Sequence, residues 1–420
     1  MRDIPQIDPT MPHQPSVLQE GMPAPGRKRR WVRRGVFASA GCVAAALAGI
    51  LLLGGIAPLA PPSSYVVFGY NELGMHCMNE DFSELMILPP FNTVRAQVIR
   101  KGVEPTIVTS GVTVRYTIPG NTHSSDKTNF WNYTQPLFGV QIPPDVGLTG
   151  NKLNGTMVNR MPTANDWEAS GLPVTPRDDD GRENPYPLAL ISVERNGAVV
   201  AQTQAVVPVS WEISCNICHS TPGISVGRDI LRKHDVLHAT HLEAAMPVNC
   251  SQCHSDNALG APGVPGVKSM SAAMHGSHAT RMAQANLVVD CYACHPGIRT
   301  QCQRDIHLAR GMTCSSCHGG MAAVGNVARR PWLDEPSCGS CHQSRQPEFD
   351  FEPAGVLFKN ATGHGGVKCV TCHNSPHAIT PTITAVDNLQ STRWQGHAGV
   401  INTCTTCHTT PPGSFEHKRD

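Results

Sequence analysis

Seven times in its 420 residues the chain repeats Cys-x-x-Cys-His. The copies are Cys215/Cys218/His219, Cys250/Cys253/His254, Cys291/Cys294/His295, Cys314/Cys317/His318, Cys338/Cys341/His342, Cys369/Cys372/His373 and Cys404/Cys407/His408. Two thiols three residues apart lie about one helical turn from each other, so both can reach the edge of one porphyrin and form thioethers with its vinyl groups. The next residue, histidine, then falls beneath the iron. Zinc knuckles also use Cys-x-x-Cys pairs, but zinc wants four convergent ligands and gives no reason for a histidine after every pair. The spacing therefore predicts seven covalently bound haem c groups, with fourteen cysteines as tethers and seven histidines as proximal ligands.

Seven of the 20 histidines are used in this way, and ten of the others lie within the same segment. That supply is enough for every iron to take a second histidine, which closes both axial positions and favours electron transfer over substrate chemistry. His234, His238 and His241 stand at i, i+4 and i+7 of a helix expected over 226–246, on one face, where they would reach neighbouring irons. His364 is five residues before Cys369 and His377 four after His373, too close to cross to the far side of that haem, so each is expected to serve another. His307 and His397 precede the next cysteine pair by seven residues and fit the same role. His275 and His278 bracket a Gly-Ser turn; His278 is taken as a ligand and His275 as spare. His417, in a charged tail, is the weakest of the ten. The run Leu73-Gly74-Met75-His76-Cys77-Met78 also offers iron ligands, against which stands a plain reading as buried filler.

The elements that must hold these groups differ along the chain. Hydrophobic residues make up 40%, charged residues 15%, aromatics 5%, and the net charge is +1. This excludes a polar disordered chain and a strongly basic nucleic-acid binder. Seven porphyrin plates packed into the last half would bury the apolar surface that Phe, Tyr and Trp otherwise supply. Residues 61–210 instead alternate with a period of two. Val112–Ile118, Tyr65–Phe68 and Thr93–Ile99 read as strands, and Leu188–Val193 and Ala198–Val207 flank Asn196-Gly197, a hairpin turn signal. The expected fold is a β-rich, sandwich-like domain over 61–210, followed by a mainly helical and irregular multihaem domain over 211–420 with little sheet. Cys77 and Cys302 are left over and could bridge the two or stay free.

Residues 1–34 are Pro-rich and end in a basic cluster from Arg27 to Arg34, as a cytoplasmic tail would. Residues 35–60 carry no charge, long enough for one N-terminal transmembrane helix and longer than a signal-peptide core. Basic residues on the N-terminal side place the remainder outside the cytoplasm. An inner-membrane anchor with the bulk in the periplasm is the expectation; the alternative is cleavage and a secreted or surface protein. Cys42 reads as a plain residue of that segment.

With these motifs in view, the chain resembles the bacterial multihaem c-type cytochromes over roughly its second half. The resemblance implies a membrane-tethered, periplasmic carrier passing electrons through seven bis-histidine haems between a redox donor, plausibly quinol-linked, and an acceptor. Beyond residue 34 acidic side chains outnumber basic ones, and propionates add to them, so a basic patch is expected on a redox partner. The alternative is a terminal reductase of a small nitrogen or sulfur oxyanion with one haem left open. No Cys-x-x-Cys-Lys occurs, so the pentahaem nitrite reductases are not matched, and the octahaem reductases have one motif more. A third reading makes the β-rich module a docking domain.

Overall fold

The computed structural model describes residues 63–285, 287, 291–414 and 417. The expected tail and membrane segment, 1–60, lie outside the described residues. Among the described residues no helix is long and apolar enough to cross a membrane.

Two antiparallel sheets form first. In one, strands Tyr65–Asn71, Asn92–Arg100, Trp167–Leu172 and Val158–Asn159 pair in that order, with Thr106–Ile107 added to the second. In the other, the order is Ala198–Val206, Leu188–Arg195, Thr113–Thr117 and Asn154–Thr156. The hairpin between the first two turns at Asn196 (φ 52°) and Gly197 (φ 79°), the two left-handed residues that a type I′ turn requires. Inward side chains of both sheets, among them Val67, Val94, Val98, Val114, Ile191 and Val193, make one core, completed by Phe82, Phe130 and Trp131.

The first sheet is buried on both faces, which the period-two reading did not anticipate. Along Tyr65–Asn71 every residue is buried. Val66, Phe68 and Ile99 point away from the sandwich core and pack against Val367, Trp394, Ile401 and Cys407 of the motif segment. A strand covered on both sides loses its polar face and reads as a near-continuous apolar run. The second sheet keeps one partly exposed face, and its strands alternate accordingly.

The motif segment is built of short helices and turns, and it is stitched to the sandwich rather than strung after it. The described residues form one compact unit. Val209–Ser210 pairs in parallel with His76–Cys77, and Val248–Asn249 with Leu85–Met86. The Glu212 carboxylate accepts the N–H groups of Ile298, Arg299 and Thr300. Arg304, fully buried, donates to both carboxylate oxygens of Asp387 and to the Gly74 carbonyl.

Two helices differ from expectation. The helix expected over 226–246 spans only Val226–His238 and ends at Ala239 in the left-handed region (φ 53°). Asp235 turns the chain back there, accepting from the N–H groups of Leu242 and Glu243 and from the Thr240 hydroxyl. His241 therefore leaves the helical face it was expected to share. Conversely, His275 and His278 do not bracket a turn: both sit on the helix Met270–Ala285. Gly276 lies within that helix where the Gly325 backbone packs against it, the place of a Cβ being 3.2 Å from the Gly325 carbonyl oxygen.

Candidate functional site: seven paired histidines

Each Cys-x-x-Cys-His folds as one tight turn. The histidine N–H donates to the carbonyl of the first cysteine at 2.9 Å for His219, His295, His342 and His408, and at 3.1 Å for His254. Cys314–His318 and Cys369–His373 are short helices of the same five residues. The helical turn brings both thiols and the imidazole to one side of the backbone. Among the described residues no cysteine is in a disulfide, so no bridge joins Cys77 to Cys302.

Cys218, Cys253, Cys294, Cys317, Cys338 and Cys341 are exposed, and the remaining motif cysteines are half-buried. Cys253 shows the reason. Its N–H donates to the Cys250 carbonyl at 3.3 Å and its carbonyl accepts from the Val264 N–H at 2.8 Å, so its backbone is held from both sides while its side chain stays outside the turn. Such a thiol is positioned by its turn and not by a polypeptide core, which leaves the sulfur accessible for attachment.

Opposite every motif histidine stands a second one. The ring centroids are 6.3 Å apart for His219–His278 and for His254–His234, and 6.0 Å for His295–His275. They are 5.9 Å apart for His318–His377, 6.2 Å for His342–His307, 5.9 Å for His373–His417 and 6.0 Å for His408–His364. Two imidazoles bound through one metal, each nitrogen about 2 Å from it, place their centroids roughly 6 Å apart. Seven pairs in so narrow a range, each containing one motif histidine, are what bis-histidine haem ligation requires.

The second ring nitrogens support the same arrangement. Nδ1 of His254, His275, His278 and His408 bonds the carbonyls of Lys268, Ser271, Met274 and Val103 at 2.7–2.8 Å. His234 Nδ1 meets the Thr240 hydroxyl at 2.9 Å, and that hydroxyl in turn donates to Asp235. His307 Nδ1 lies 3.1 Å from Asp305 Oδ2. In all six the remote nitrogen, Nε2, is left for a metal, and the bonded Nδ1 fixes ring orientation and raises ligand basicity. Burial holds His295, His373 and His377 down to about 4, so these rings are neutral, as ligands must be.

The assignment differs from the sequence reading at five histidines. His238 is exposed on the turn after His234, with its ring 4.8 Å from that ligand's. His241 and His397 are exposed, and His397 bonds only its neighbour's carbonyl. Among the described residues none of the three pairs with a motif histidine. His275 and His417 take part instead. His275 was hidden by the Gly-Ser pair beside it, which suggested a turn; His417 was hidden by its charged surroundings, although its ring stacks on Phe349 at 4.7 Å. The Gly74 run supplies no ligand: Met78 belongs to the sandwich core, and His76 faces Glu72 and Lys359 with Nε2 buried and unpartnered.

Among the described residues no three His, Cys, Asp or Glu side chains converge on a metal ion. Two axial nitrogens suffice where a porphyrin supplies the other four donors. Compared with known proteins, the chain matches no family model, no curated protein and no solved structure.

Proposed function

We propose that the chain is a heptahaem c-type cytochrome that carries electrons, each haem tethered by two cysteines and held between the two histidines of one pair. The single observation that carries this reading is the set of seven histidine pairs at 5.9–6.3 Å. Haem c, when bound, supplies reversible one-electron chemistry.

The residues of the chain do the rest. The fourteen cysteines tether, which keeps the cofactor from dissociating. Both histidines of each pair would bind the iron, which would leave substrate no place there. Asp305, a carboxylate against His307, makes that ligand the more basic, which favours the oxidised iron; the carbonyl partners of His254, His275, His278 and His408 do so less. The terminal-reductase alternative needs one motif histidine without an opposite ring, and each of the seven has one. The membrane anchor over 35–60, the periplasmic location and exchange with a quinol-linked donor and a protein acceptor belong to the same proposal, resting on the charge and length pattern of the N-terminus.

The test is intact mass and spectroscopy of the protein made in a host that attaches haem c. Seven added haems, an entirely low-spin EPR spectrum of the oxidised form and no carbon monoxide binding on reduction are expected. A mass without added haem would overturn the cytochrome reading, and a high-spin iron that binds carbon monoxide would restore the reductase.

A further inference from the structure

From the elements shared between histidine pairs we infer the spatial order of the seven attachment sites: numbered along the chain, they run 2–1–3–4–5–6–7, with sites 2 and 7 at the ends. The inference rests on the haem-binding reading above and goes beyond it, because sequence order would put site 1 at an end.

Helix Met270–Ala285 carries His275 of site 3 and His278 of site 1, three residues apart on one face, so these two sites are neighbours. Helix Val226–His238 joins sites 1 and 2. Its Asp229 lies 3.6 Å from His219 Nδ1 of site 1, while its His234 faces His254 of site 2. Sites 3 and 4 meet where Gly276, next to His275, abuts Gly325, at the end of the short helix that follows His318. Sites 4 and 5 share the segment 302–307. There Cys302 Sγ lies 3.8 Å from His377 Nδ1, the Arg304 N–H donates to the His377 carbonyl, and Asp305 holds His307.

Beyond site 5, Phe349 stacks on the second ligand of site 6, His417, and the Asp350 N–H donates to its carbonyl at 3.1 Å. Sites 6 and 7 are joined by the Ile401 N–H, which donates to the Cys372 carbonyl at 3.0 Å, and by His364, which precedes the site 6 cysteines yet faces His408. His373 and His377, four residues apart, also bring sites 6 and 4 near each other, which tightens the middle of the run.

Both ends touch the sandwich domain. At site 2, Asn249 and Gln252 donate to the Leu137 carbonyl. At site 7, the Val103 carbonyl holds His408 and the Gly102 carbonyl accepts from the Thr409 N–H.

The test is iron anomalous diffraction, or cryo-EM, of the haem-loaded full chain, with each iron assigned by its cysteine pair. The irons of Cys250/Cys253 and Cys404/Cys407 are each expected to have one near neighbour, those of Cys215/Cys218 and Cys369/Cys372 respectively. A site 1 iron at the end of the run, or a second near neighbour for site 2 or site 7, would overturn the order. Fewer than seven irons would count against the cytochrome reading instead, so the two failures are told apart.

Discussion

Gly74 shows how tightly a single ligand is held. A Cβ there would fall inside the His377 ring, and the Gly74 carbonyl is itself bonded by the buried Arg304. Gly74→Ala is expected to push His377 off its iron. One of seven haems should become high-spin in EPR, with a stability loss of about 1–3 kcal/mol from overpacking; an unchanged spectrum would show that the ring has room. His76, two residues on, is buried and held down to about 4 by that burial, with Glu72 pulling the other way and Lys359 adding to the drop. Unfolded, it titrates near 6.5, so between the two values the unfolded chain binds more protons. The stability due to neutral His76 is therefore complete above about pH 6.5 and is lost as pH falls toward 4, on the order of 3 kcal/mol. Denaturation of the wild type and of His76→Leu across that window checks this. The difference between the two curves should slope; a flat difference would mean that His76 is not neutral when folded.

The strands were legible from the sequence, because alternation and the Asn196-Gly197 turn are local signals. The outward face of strand Asn92–Arg100 was not, because what covers it lies more than 260 residues away. Gln97 is fully buried there, and its carbonyl oxygen accepts from the Lys368 N–H at 3.0 Å and the Thr371 hydroxyl at 2.9 Å, at the start of the Cys369–His373 helix. A strand glutamine thus caps the Cys369–His373 helix. Gln97→Ala leaves those donors buried without a partner and is expected to cost about 1–3 kcal/mol in guanidinium denaturation; no change in midpoint would show that the helix stands without the strand. The motif cysteines and histidines were equally legible, since the repeat is contiguous. Their opposite histidines were legible only as a pool, because pairing across 20 to 59 residues depends on tertiary folding, and Asp235 ends a helix that periodicity alone would continue to Met246.

At the scale of the whole molecule the apolar core is uneven. The main buried cluster runs from Tyr65 to Trp211, while the motif segment adds only scattered small or single residues such as Leu231, Ala272, Ala293, Val370 and Ala378. Apolar burial is the dominant favourable term in folding, so on the proposed function the second half depends on bound haem. Expressed without haem attachment, the chain is expected to lose residues 211–420 to limited proteolysis; survival of that half intact would show that it folds on polypeptide contacts alone. The crossed pairing has a consequence for biogenesis. Polypeptides are made N-terminus first, and at sites 2, 3, 5 and 7 the opposite histidine precedes its motif, whereas at sites 1, 4 and 6 it follows. A growing chain can therefore close its second site before its first, and the clasp on the fourth waits until the sixth cysteine pair has already emerged.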